Sequence, residues 1–160
     1  AIISAEKLAR HGIGAAFGFI VGFPEEGFEN TLKTLNLIKE IKRIDPEFEF
    51  NIFFFTPYPG TELFNYIVNK GYRVPQTLSE WSDIDFITYA GYWIKDHERK
   101  HVERFKFYTK LGTERSYAHS LTKPLQLLAA SRIRRDYYKF PVEKEVVNFF
   151  RYKILHQVSW

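Results

Sequence analysis

Two apolar runs, each collapsing into a proline-containing loop, limit how this chain can fold. The first is Gly18-Phe-Ile-Val-Gly22-Phe-Pro-Glu-Glu26, and the second, one helix-length segment later, is Phe53-Phe-Phe-Thr-Pro-Tyr-Pro-Gly-Thr61. Each reads as a buried strand that breaks into a loop and then a helix. Two such units in tandem call for parallel strands joined by right-handed crossovers. Loops at the carboxyl ends of parallel strands are where α/β proteins bind ligands.

Read as a strand, the first run divides between its two faces. Ile13, Ala15, Phe17, Phe19 and Val21 point one way and suit a packed layer of helices, while Gly14, Ala16, Gly18, Ile20 and Gly22 point the other. One face is bulky and the other nearly bare. A bare face weakens a strand, so the glycines mark either the close approach of a ligand or simply room for a neighbouring strand or bulge.

Beyond Gly22 the chain turns at Pro24 into a segment whose apolar positions Phe28, Leu32, Leu35, Ile38 and Ile41 recur at helical spacing. Glu25, Glu26 and Glu29 near its start, and Lys39, Lys42 and Arg43 near its end, complement the helix macrodipole, which accounts for these charges without a catalytic role. Asp45-Pro46 stops the helix and the second strand begins at about Phe48. Its early residues alternate, but Phe53, Phe54 and Phe55 leave no polar side, so the strand sinks as it proceeds. Pro57 and Pro59 stiffen the next loop, Thr61 is the expected N-cap, and the following helix ends at Gly71.

The stretch Gly18-x-Ile20-x-Gly22 with its trailing proline and acids, followed by Phe-x-Thr-Pro-Tyr-Pro-Gly-Thr-x-Leu from Phe54 to Leu63, resembles the carboxyl-terminal half of a radical SAM enzyme. The resemblance covers residues 1–95 and is strongest to the branch that carries a cobalamin-binding domain, with the anaerobic cyclases and methyltransferases. It implies an α/β fold: the last two strand-helix units of a partial (β/α)6 TIM-like barrel (residues 1–74), then an aromatic-rich loop and a mainly helical, basic extension (75–160). The family reductively cleaves S-adenosylmethionine at a [4Fe-4S] cluster for radical or methyl-transfer chemistry. By that resemblance Gly18, Ile20 and Gly22 border the adenine, and Phe55, Thr56 and Pro57 border the adenosine from the next strand. Tyr58, Trp81 and Tyr89 are the substrate-side candidates, for segments after the last strand can cover the site's mouth; Phe86, Tyr92 and Trp93 share that aromatic stretch. Family members usually read Gly-x-Pro-Gly-Glu-Thr where this chain has Gly22-Phe-Pro-Glu-Glu-Gly27, so the family's glutamate corresponds to Glu25 or Glu26.

The family's cluster is held by three thiolates spaced CxxxCxxC, because its iron takes soft ligands, and this chain has no cysteine. It has no methionine either. The expectation is a carboxyl-terminal fragment, inactive alone, whose partners are the upstream part of the same protein and an electron donor such as flavodoxin or ferredoxin. Cobalamin is a further expected cofactor of the parent. No apolar run approaches the roughly twenty residues of a membrane span, and the cytoplasm is the expected compartment.

Charge is uneven. Residues 1–74 carry 8 basic and 9 acidic side chains and residues 75–160 carry 15 and 10, which together give the net +4. In the basic part, Leu125, Ala129, Ile133 and Tyr137 form one helical stripe, and Val142, Val146, Phe150 and Ile154 form another after a break at Phe140-Pro141. Arg132, Arg134, Arg135 and Lys139 crowd the end of the first stripe, either as a solvated face or as a contact for a membrane surface or anionic partner. A non-catalytic interaction or membrane-surface module is thus one alternative function. Nucleic acid is not expected, since no reading motif accompanies the charge.

His97-Glu-Arg-Lys-His101 spells HExxH, the helical zinc signature in which the glutamate serves as general base. Charged residues surround it, and only Glu114 or His119 is near enough in sequence to complete the ligand set, so a zinc hydrolase is the remote alternative. A helix start with Val102, Phe105 and Tyr108 turned inward explains the segment better. No serine lies in a nucleophile-elbow pattern, and Pro24 with its acids replaces the glycine-rich turn of a dinucleotide site.

Overall fold

The computed structural model describes residues 1–84, 91–112, 119–145 and 147, with residues 119–122 as helical backbone. The chain divides into two compact units, residues 1–100 and 101–160. The first takes in the strand-helix units together with the aromatic stretch that follows them.

In that unit, α1 (Ile2–Arg10) leads into β1 (Ala16–Val21), α2 (Phe28–Ile44), β2 (Glu49–Phe54) and α3 (Glu62–Asn69). The strands pair in parallel, in a register that sets Gly18 beside Asn51, Ile20 beside Phe53 and Val21 beside Phe54. Two backbone hydrogen bonds prolong the ladder: Glu49 N–H donates to Ala15 O and Phe55 N–H to Val21 O, both at 2.9 Å. Period-two alternation then decides burial. Phe17, Phe19, Val21, Phe50, Ile52 and Phe54 face inward, while Ala16, Gly18, Ile20, Glu49 and Asn51 are exposed on the opposite face.

The inward face packs against α1 and α2. Ala5, Ile41 and Phe48 are completely buried there, surrounded by Ile2, Leu8, Phe17, Phe19, Leu37 and Phe50. The ring of Phe17 meets Phe48 edge-on at 5.3 Å and stacks on Phe50 at 5.9 Å. Each large apolar side chain fully removed from water contributes about 1.5–3 kcal/mol, so this layer orients the sheet. Gly27 stands at the N-cap of α2, and Asp45 ends that helix in an extended conformation.

Thr61 caps α3 by accepting the Phe64 N–H at 3.2 Å. Phe64 and Ile67 of that helix gather Tyr72, Trp81 and Trp93 into a second apolar cluster. Trp81 belongs to a short helix, α4 (Leu78–Ser82), begun by a reciprocal capping box between Thr77 and Glu80.

Helix α5 (Asp96–Leu111) begins in the first unit and continues into the second, where α6 (His119–Arg135) follows. Val102, Phe105 and Tyr108 of α5 are buried, as are Ala129 and Ile133 of α6. The stripe expected to continue through Tyr137 does not: Asp136 turns left-handed (φ 49) just after the helix, so Tyr138 is buried and Tyr137 is exposed. Tyr138 stacks on Tyr108 at 5.8 Å. Val146, Phe150 and Ile154 lie outside the described residues. Among the described residues no helix is long and apolar enough to cross a membrane.

Candidate functional site

At the carboxyl ends of β1 and β2 lies a hollow of about 290 Å³, lined by Ile20, Phe23, Phe53, Phe54, Phe55, Thr56 and Tyr58. Its position follows from the alternation. Ile20 and its register partner Phe53 are on the face turned away from the helices, and the strands end just beyond them. Ile20 is 55% exposed and Tyr58 is 58% exposed, so the hollow opens to solvent.

The residues singled out in the sequence fall into three places. Ile20, Phe55, Thr56 and Tyr58 meet in the hollow. Gly18 precedes Ile20 on the same open face, and a Cβ built on it would meet nothing within 4 Å. Pro57 is fully buried beneath the rim. Trp81 is elsewhere, packed on the cluster of Phe64, Ile67 and Tyr72 rather than in the hollow. Tyr89 and Phe86 lie outside the described residues.

Gly22 forms the hinge of the rim. Its φ is +73°, a conformation that favours glycine, and a Cβ there would stand 2.6 Å from Ile94 Cδ1, so that side chain would have to shift as well. Its carbonyl oxygen accepts the indole N–H of Trp93 at 2.9 Å. The Trp93 ring also lies 6.1 Å from Phe55, which is itself 5.0 Å from Phe23. Residues 91–94 thereby fasten the loop after β1 to the first residue after β2. Sequence reading placed Trp93 in an aromatic stretch without assigning it this bond, and passed over Phe23 and Phe53 as lining; the pairing of Phe53 with Ile20 follows only once the register is known.

The loop after β1 settles which acid does what. Glu26 reaches back to accept the Phe23 N–H at 3.3 Å, while Glu25 takes a left-handed conformation (φ 62). Glu25 thus occupies the backbone geometry that a glycine adopts freely, and Glu26 is the acid that closes the turn. The displaced Glu25 carboxylate pairs with Lys70 at 3.2 Å. A hydrogen bond from Tyr66, then one from Lys70, holds its carboxyl below the usual carboxylate range.

Chemically, the hollow offers apolar walls rich in phenylalanine from the ends of both strands, and two hydroxyls, those of Thr56 and Tyr58. Thr56 donates weakly to the Phe54 carbonyl at 3.5 Å, which leaves its oxygen as an acceptor. Among the described residues no carboxylate, imidazole or ammonium group lines it. Such a surface is suited to packing against a flat, apolar group. The volume is at the lower limit of small-molecule sites, roughly 300–1,000 Å³, and suits one moiety of a larger ligand.

The HExxH segment lies at the start of α5. The exposed His97 ring is edge-on to Phe28 at 6.4 Å, and the His101 ring is edge-on to Tyr138 at 5.1 Å. Among the described residues no group of three potential metal ligands converges. Glu114 and the side chain of His119 lie outside them.

Over 86 residues the chain is 34% identical to an uncharacterized methyltransferase of Pyrococcus horikoshii, a match that takes in 53% of this chain and 17% of that protein. The matched segment is therefore less than a fifth of that relative's length. No family model and no solved structure matches the chain.

Proposed function

We propose that residues 1–100 form the nucleoside-facing end of an S-adenosylmethionine-dependent methyltransferase of the radical SAM type, the last two strand-helix units of a partial barrel. The observation that carries this reading is the apolar hollow at the carboxyl ends of two parallel strands, with Ile20 on β1, Phe55 just beyond β2 and open space at Gly18. The similarity to a methyltransferase supports it independently.

The apolar, aromatic lining suits an adenosine group. Ile20 and the aromatic rim pack on the purine, Thr56 and the exposed backbone beyond β2 offer hydrogen bonds to its edge, and the left-handed Gly22 lets the chain pass close by. Among the described residues no cation lines the hollow to hold a carboxylate, and the chain has no cysteine to hold iron. The methionine group and the cluster are therefore assigned to parts of the parent protein beyond this chain. When bound, a [4Fe-4S] cluster would supply the electron that activates the sulfonium, and cobalamin would be a methyl carrier; this chain's residues bind, orient and exclude water.

The test is titration of the full chain with S-adenosylhomocysteine, adenosine and guanosine, followed by Trp fluorescence and calorimetry. Saturable binding of the two adenosine compounds, weaker for guanosine and abolished by Gly18→Phe, is the expected result. A Cβ at Gly18 meets open space, and an unchanged urea midpoint for Gly18→Phe is the control that its fold is intact. Equal binding by Gly18→Phe and the parent chain would refute the assignment.

A further inference from the structure

We infer that the turn after α6, residues 136–142, is a membrane-surface anchor that inserts Phe140 into an anionic phospholipid layer. The inference is independent of the nucleoside site.

Phe140 combines two unfavourable features. Its ring is 77% exposed, and its backbone is left-handed (φ 51), a region that disfavours a bulky residue. Neither burial nor backbone preference accounts for phenylalanine here. Val142 is 66% exposed beside it, and Tyr137 is exposed as well.

This display is fixed rather than accidental. The buried guanidinium of Arg132 donates to the carbonyls of Tyr137 (3.3 Å), Lys139 (2.9 Å) and Phe140 (3.3 Å), and pairs with both oxygens of Glu143 at 2.7 and 3.1 Å. One side chain thus gathers three carbonyls of a single turn and fixes the backbone that carries the apolar tip. Arg132 is therefore internal, unlike the basic set with which it is grouped in sequence.

The remaining cations frame the tip. Arg134, Arg135 and Lys139 are exposed. Of the nearby acids, Glu143 pairs with Arg132 and Asp136 accepts the Tyr138 hydroxyl at 3.2 Å, while Glu145 is exposed. A protruding apolar tip among cations matches a bilayer of anionic lipid, which takes a convex tip without a preformed pocket and supplies phosphates around it. An acidic protein would match the charge, but would need a cavity shaped for Phe140.

The test is sedimentation of the full chain with vesicles of phosphatidylglycerol and phosphatidylcholine, and with phosphatidylcholine alone. Binding should require the anionic lipid and fall roughly twenty-five-fold in Arg134→Gln/Arg135→Gln, at about fivefold per charge. Phe140→Gly separates display from fold: it relieves the left-handed strain, so thermal stability should rise while vesicle binding falls severalfold. Three results would overturn the inference: no binding to anionic vesicles, equal binding to phosphatidylcholine alone, or undiminished binding by a folded Phe140→Gly. Retention on immobilised polyglutamate without vesicle binding would also overturn it and point to an acidic protein.

Discussion

The indole N–H of Trp93 donates to the carbonyl oxygen of Gly22 at 2.9 Å, joining residues 71 positions apart at the mouth of the hollow. Trp93→Phe keeps an aromatic ring but leaves that part-buried carbonyl without this donor. The expected loss is about 1–2 kcal/mol, read as a lower urea midpoint. Adenosine affinity should fall with it, because the rim loses its fastening.

Gly22 answers to two separate demands, and a mutant cycle separates them. Gly22→Ala meets both the positive φ and the Ile94 side chain at 2.6 Å, and should cost more than the roughly 1–2 kcal/mol of the conformation alone. Adding Ile94→Ala to Gly22→Ala relieves the collision and leaves the conformational part. A double mutant no better than additive would show that Ile94 yields without cost.

Glu25 holds a left-handed backbone and an exposed ion pair with Lys70. Glu25→Gly loses the pair and relieves the strain; Glu25→Ala loses the pair and keeps the strain. Exposed pairs are weak, so melting temperatures should rank glycine above glutamate above alanine. Raising the salt concentration should narrow only the gap between glutamate and alanine.

Burial pushes the Lys42 ammonium down from 10.5 to about 8, against the preference of a helix end for positive charge. Its Nζ lies 3.5 Å from the Pro46 carbonyl and 5.7 Å from the centre of the Phe50 ring. Because the folded value is the lower one, the unfolded chain binds the extra proton between about pH 8 and 10.5, and stability rises with pH across that window. Lys42→Met should flatten the rise and raise stability at pH 7, as urea titrations at both ends of the window would show.

Arg132 and Glu143 form a pair whose side chains are 15% and 10% exposed. Burial pushes the Glu143 carboxyl up, yet its own backbone N–H, Tyr108 and Arg132 together hold it below the ordinary 4.5. Its contribution is thus complete above about pH 4.5 and is lost as pH falls through the lower folded value. Arg132→Met strands the carboxylate and should cost about 3–5 kcal/mol. Near-ultraviolet dichroism of Tyr108 and Tyr138 would report the loss.

Local chemistry was the most legible part of this chain. The inward and outward faces of β1, the Thr61 cap and the stop at Asp45-Pro46 all follow from side-chain type and spacing. The capping box Thr77-x-x-Glu80 was equally readable but was absorbed into a loop between aromatic residues. What sequence could not supply was pairing at a distance. Register brings Phe53 to Ile20, and a bond across 71 residues assigns Trp93. The left-handed turn at Asp136 moved the apolar stripe by one residue, because no proline or glycine announced it. The two adjacent acids in the β1 loop were separable only by backbone angle.

The parallel register also guards the sheet against mispairing. Alternation along both strands means that sliding β2 by one residue would turn Phe50 and Phe54 out to water and bring Glu49 and Asn51 against Ala5 and Ile41. A one-residue slip is therefore excluded, and a one-residue insertion or deletion inside β2 would cost the unit far more than the same change in the loop before it.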